Sequence, residues 1–154
     1  MTSITNWLCV ENINLCMRAE SELETIAAML DLASQSAEVK DVKRLAQELL
    51  SHEVMMPSPT GCCAVVFQAV SSAVLAPQIF FGRFDHGIGY YSKKGHPIDL
   101  IFMIIAPPDR EQEFIYVIKS TKQVLQEVSI RERLRAVQSP EETLEVLSRN
   151  LVRK

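Results

Sequence analysis

Apolar residues recur along this chain in two rhythms, three to four residues apart toward both ends and nearly unbroken through the middle, and each rhythm predicts a different element. Ser21 and Glu24 make the Ser-x-x-Glu pattern of a capping box, and Leu23, Ile26, Ala27 and Leu30 follow at the spacing of one helix face. A helix over 22–33 is the result. Asp41 caps a second, in which Val42, Leu45, Ala46 and Leu49 repeat the stripe, and which ends near Glu53, before Pro57. The apolar, partly β-branched runs 62–67, 78–84 and 98–105 suit strands buried on both faces of a sheet. A short strand over 88–91 leads through the polar turn 92–97 into the longest of them, which Pro107-Pro108 stops.

Three further helix starts follow, at Asp109-x-x-Gln112, Ser129-x-x-Glu132 and Ser139-Pro140-x-Glu142, the last with proline at its first helical position. Their apolar stripes include Ile115, Ile118 and Leu125, then Ile130, Leu134 and Val137, then Leu144, Leu147 and Leu151. Helix, helix, strands, helices is the order of a layered α/β domain with a mixed central sheet flanked by helices on both sides. No linker or internal repeat divides it, so residues 1–154 read as one domain.

Composition narrows the function classes. With 154 residues, 47% of them hydrophobic, the chain buries about two-thirds of its unfolded surface in one core. A net charge of -3 with dispersed Lys and Arg lacks the basic stripe that nucleic-acid binding needs. The start of the chain has no signal-peptide pattern, and the apolar run 100–106 is far below the roughly 20 residues of a membrane span, so a cytoplasmic protein is expected. The four cysteines, two of them adjacent at Cys62-Cys63, read as reduced thiols, since neighbours rarely bridge without strain. Adjacent strand residues point to opposite faces and no Cys-x-x-Cys occurs, so neither a metal nor a cofactor is expected. His86 and His96 lie in turn-like sequence, and Met55-Met56 before Pro57 is an apolar patch suited to protein contact.

The segment Ser58-Pro59-Thr60-Gly61-Cys62-Cys63-Ala64-Val65-Val66-Phe67-Gln68-Ala69 resembles the active-site region of EIIA domains of the mannitol/fructose and nitrogen-regulatory class. The resemblance continues without gaps through Pro77, Gly82-Arg83, Gly87-Ile88 and the strand ending in Ala106-Pro107. Upstream, His52-Glu53 stands where those domains carry Arg-Glu, and Ile4, Trp7-Leu8, Ile13 and Leu15 fit their apolar opening. Two further positions depart from it. Gln68 stands at the phosphoacceptor histidine, and Phe114 at a second histidine that orients the first.

What the resemblance implies is a phosphoryl relay of the phosphoenolpyruvate-dependent phosphotransferase system, in which a neutral imidazole takes phosphate from HPr and passes it to EIIB. An amide has no such lone pair, so Gln68 only donates and accepts hydrogen bonds, and Phe114 makes the pocket drier. His52 in place of arginine removes a permanently charged fork suited to phosphate. Gln68 is either a contact for a partner or small ligand, or a plain polar side chain at a strand end. The expectation is a non-catalytic, regulatory EIIA-like module with His52, Glu53, Ser58, Gln68 and Phe114 as its binding residues. Its expected partner is a protein: an HPr-like or EIIB-like component, a transporter, a kinase or a transcription regulator. The alternative is a phosphoryl carrier that uses a substitute acceptor such as His52.

Overall fold

The computed structural model describes residues 6–49, 62–84 and 95–151, and the backbone of 51–54. Five strands form one mixed sheet: β1 Ile13–Met17, β2 Ser51–Val54, β3 Cys63–Val70, β4 Gln78–Phe84 and β5 Ile98–Ala106. Their order across the sheet is β1-β4-β5-β3-β2. β5 runs parallel to β3 and antiparallel to β4. β1 joins β4 in parallel, and β2 closes the other edge antiparallel to β3.

Strand alternation sorts the core into two layers. Ala64, Val66, Ile79, Phe81, Phe102 and Ile104 face one side, under α3 Glu111–Leu125, α4 Val128–Ala136 and α5 Pro140–Leu151. Val65, Phe67, Phe80, Ile101, Met103 and Ile105 face the other, under α1 Glu22–Ser34 and α2 Val42–Glu48. β5 lies between two strands and two helical layers, and every one of its residues is buried. The continuous run over 98–105 has this cause: a central strand covered on both faces has no polar side to show.

Two helices begin on the same device. In α1 the Ser21 hydroxyl accepts from Glu24 N at 3.1 Å, and in α5 the Ser139 hydroxyl accepts from Glu142 N at 3.1 Å. Each glutamate reaches back to the amide before the serine, Glu20 N at 2.9 Å and Gln138 N at 2.7 Å. Thr25 and Thr143, one residue further on, donate to the Ser21 and Ser139 carbonyls, which lets both hydroxyls be buried without loss. Asp41 caps α2 through Arg44 N.

Several expectations need correction. The second helix stops at Glu48, because Leu49 takes extended backbone and the chain pairs with β3 as β2. Ile13–Met17 is a strand, where the sequence pattern assigns no element before the helix at 22–33. Helix α1 buries Thr25, Met29, Leu32 and Ala33, and of the expected stripe Leu23, Ile26, Ala27 and Leu30 only Ile26 and Leu30 pack against that core, while Leu23 and Ala27 are exposed. Asp109 caps nothing: it sits in a single 3-10 turn, Pro108–Arg110, ahead of α3. Helix α4 begins at Val128, so Ser129 lies inside it, and Ile115 is exposed. The expected strand over 88–91, residues 92–94 of the turn 92–97, and Met55-Met56 lie outside the described residues.

Candidate functional site

Val66 faces the α3 layer and Phe67 the α1 layer, so the next residue, Gln68, returns to the α3 side near the carboxyl end of β3. There it is half-buried, on the same side of the sheet as Phe114, which lies in the first turn of α3 and is 7% exposed. The two side chains line one cleft of about 440 Å³, together with Ala69, Val70, Glu111, Ile115, Ile118, Lys119 and Lys122. The structure therefore brings together two residues 46 positions apart in the chain, as the resemblance required.

The chemistry of the cleft follows from these groups. Phe114, Ile118 and Val70 give it an apolar wall, and Gln68 contributes an amide NH2 and a carbonyl oxygen. Glu111, Ile115, Lys119 and Lys122 project from α3 at the four- and three-residue spacings that share a helix face. Ile115 is 48% exposed at this rim. The arrangement suits contact with a mixed apolar and polar surface. Neither Gln68 nor Phe114 offers a nucleophilic atom or a proton to exchange near neutral pH.

The other expected site residues are placed differently. His52 and Glu53 belong to β2, with His52 in register with Phe67 and Glu53 with Val66, while Ser51 is the register partner of Gln68. Ser58 lies outside the described residues. The rim residues Glu111, Lys119 and Lys122 were not singled out in the sequence; their spacing from Phe114 along one helix was the available signal. Among the described residues no cluster of His, Cys, Asp and Glu is arranged to hold a metal ion.

A second polar cluster lies at the opposite end of the same strands. Between Cys63 and Ala64 the β3 partners step from Ile98 to Leu100, so Asp99 is the extra residue of an irregularity in β5. Its carboxylate meets Arg135 of α4 at 2.7 and 2.9 Å, and Arg135 also reaches Glu132 at 2.8 Å. Arg131, 1% exposed, donates to the Leu125 carbonyl at 2.8 Å. Burial, and then the charge of Arg135, lower its pKa from the ordinary arginine value. Arg83 of β4 donates to the carbonyls of Leu134, Arg135 and Val137, closing the carboxyl end of α4. This cluster holds α4 to the sheet and lines no part of the cleft.

Residues 7–150 match the family described as "Phosphoenolpyruvate-dependent sugar phosphotransferase system, EIIA 2". The fructose-specific EIIABC component of Bacillus subtilis is 22% identical over 147 residues, covering 96% of this chain but 23% of that protein. A nitrogen regulatory protein of Bradyrhizobium diazoefficiens is 24% identical, with 94% of both chains covered. In three dimensions the chain is similar to nitrogen regulatory protein IIA-Ntr of Neisseria meningitidis, with TM-score 0.78 at 21% identity over 95% of this chain and 99% of that one. It is also similar to enzyme IIAMTL of Escherichia coli, solved in complex with phosphorylated enzyme IIBMTL, with TM-score 0.69 at 25% identity over 90% and 94%. The mixed sheet, its two helical layers and the extent of these matches agree, and the chain belongs to the EIIA type 2 family of the phosphoenolpyruvate-dependent sugar phosphotransferase system.

Proposed function

We propose that this chain is a single EIIA-type module that accepts no phosphoryl group and acts by binding a protein partner at the Gln68–Phe114 cleft. One observation carries the reading: Gln68 and Phe114 line the same cleft, and an amide beside a phenyl ring has no nitrogen lone pair free to attack phosphorus. The rim formed by Ile115, Lys119 and Lys122 supports contact with a protein surface, because it sets a half-exposed apolar side chain beside two cations. The complex of the related IIAMTL with phosphorylated IIBMTL makes components of the same phosphotransferase system the first partners to test. A regulatory role, in the cytoplasm and alongside sugar or nitrogen status, fits the nitrogen regulatory relatives. Ser51 and not His52 is the register partner of Gln68, which supports loss of phosphoryl transfer over a substitute acceptor at His52.

The test is incubation with phosphoenolpyruvate, enzyme I and HPr, followed by intact mass measurement. No added phosphoryl group is expected. An acid-labile adduct on this chain would overturn the reading, and its loss in His52→Ala would assign the acceptor to His52.

A further inference from the structure

The outward face of α3 is ordered by charge about one apolar residue. Glu111, Ile115 and Lys119 stand four residues apart and are all exposed, and half-buried Lys122 follows three residues on. Ile115 is the midpoint, with an acid about 6 Å before it along the helix axis and a base about 6 Å after it. None of the three charges has an opposite charge three or four residues away in the chain. Other helices pair such charges internally, Arg44 with Glu48, Arg135 with Glu132 and Arg149 with Glu145. The helix dipole favours Glu111 in the first turn, but its effect fades within a turn of either end and does not account for Lys119.

Acid, apolar residue and base at equal steps are their own complement when turned end for end. Laying α3 antiparallel on α3 of a second copy, about a two-fold axis at Ile115, brings Ile115 against its counterpart and Glu111 of each copy against the partner's Lys119. The partner's Lys122 then lies one turn beyond, on the same side. A uniformly acidic surface would oppose Glu111, and a uniformly basic one would oppose both lysines. A second copy satisfies all of them.

We infer that this chain forms a two-fold dimer through α3 and that the dimer covers the Gln68–Phe114 cleft, since the paired residues are the rim of that cleft. One helix pair with exposed ion pairs is a small interface, so the association is weak and reversible. Pairing does not depend on what the cleft does. Its regulatory meaning, a self-association that a partner must displace, rests on the cleft being the partner site.

The test is sedimentation of the full chain alone at low salt, read as average mass against concentration. The mass rises from that of one chain toward that of two below about 1 mM, and salt reverses the rise. Lys119→Glu and Glu111→Lys each stay monomeric, because each sets like charges together across the axis. Mixing the two variants restores a dimer of unlike chains, since every contact then joins acid to base. Both positions are exposed, so the variants keep their fold, which circular dichroism checks. Limited acetylation below and above the transition reads the cover: Lys119 and Lys122 lose reactivity on pairing, and exposed Lys43 of α2 does not. A chain monomeric up to about 1 mM, a dimer unmoved by either variant, no association on mixing, or unchanged acetylation of Lys119 overturns the inference. Phosphoryl acceptance is read separately, by the incubation with phosphoenolpyruvate, enzyme I and HPr.

Discussion

Arg135 grips Asp99 with two parallel hydrogen bonds, Nε to Oδ2 at 2.7 Å and Nη2 to Oδ1 at 2.9 Å, and both side chains are largely withdrawn from water. A bidentate pair of this kind ties α4 to the amino end of the central strand. With Arg131 beside it, one carboxylate faces two guanidinium groups, and Glu132 supplies the second negative charge. Asp99→Ala leaves those cations partly buried without their main counter-charge. The expected loss is about 3 kcal/mol of folding stability, read as a lower urea midpoint. An unchanged midpoint would mean that water reaches the pair.

Cys63 gives a prediction with a definite sign. Burial raises its thiol pKa above the ordinary value, while its unfolded counterpart titrates normally. The folded state thus holds its proton to higher pH than the unfolded state. The resulting contribution is fully present below the unfolded pKa and is lost as pH rises through the folded one. Melting temperature should fall on the alkaline side of the ordinary thiol range, less steeply in Cys63→Ala after its own packing loss is subtracted. Alkylation of the native chain at neutral pH should modify exposed Cys9 and Cys16 and spare buried Cys62 and Cys63 until denaturant is added.

Gly82 stands where a side chain has no room. A Cβ there would lie 2.4 Å from Met17 Sδ and 2.8 Å from Met29 Sδ. Gly82→Ala therefore pushes two thioethers, one from β1 and one from α1, out of the α1-side core. Methionine adapts, so the expected cost is about 1–3 kcal/mol. Thermal unfolding measures it, and a variant as stable as the parent would show that the methionines retract freely.

Gln68→His tests whether the acceptor atom is what the cleft lacks. Under incubation with phosphoenolpyruvate, enzyme I and HPr, this variant should gain an acid-labile phosphoryl group that the unsubstituted chain does not. Gln68→His with Phe114→His should gain more, since the second imidazole can orient the first and steady the phosphoryl oxygens. A label absent from both variants would place the loss in docking and not in the nucleophile.

The fold was legible where a residue pattern had one physical meaning. The run from Gln78 to Phe84 and the run that ends at Pro107 became strands, because β-branched and aromatic side chains in unbroken series suit only a doubly covered sheet. Ser21 and Ser139 announced their helices through short-range hydrogen bonds. Strand β2 was illegible because Ser51–Val54 has no apolar alternation of its own and is defined by its partner. The face of α1 was misread in part because Leu23 and Ala27 extend its apolar stripe past the side that the sheet covers, whereas Ile26 and Leu30 reach the core. In the cleft, the pairing of Gln68 with Phe114 followed from family resemblance, whereas the lysines of α3 emerged only once the helix was placed.

Strand β1 holds an edge of the sheet through β4, with Ile13 paired to Phe81, and α5 also packs against it. During translation Ile13–Met17 leaves the ribosome long before Phe84 has been added, and longer still before Leu151. Until then Ile13 lacks its final cover, and the nascent chain presents it to whatever chaperone or neighbour is at hand. Emergence of α5 is thus the moment at which this side of the domain closes.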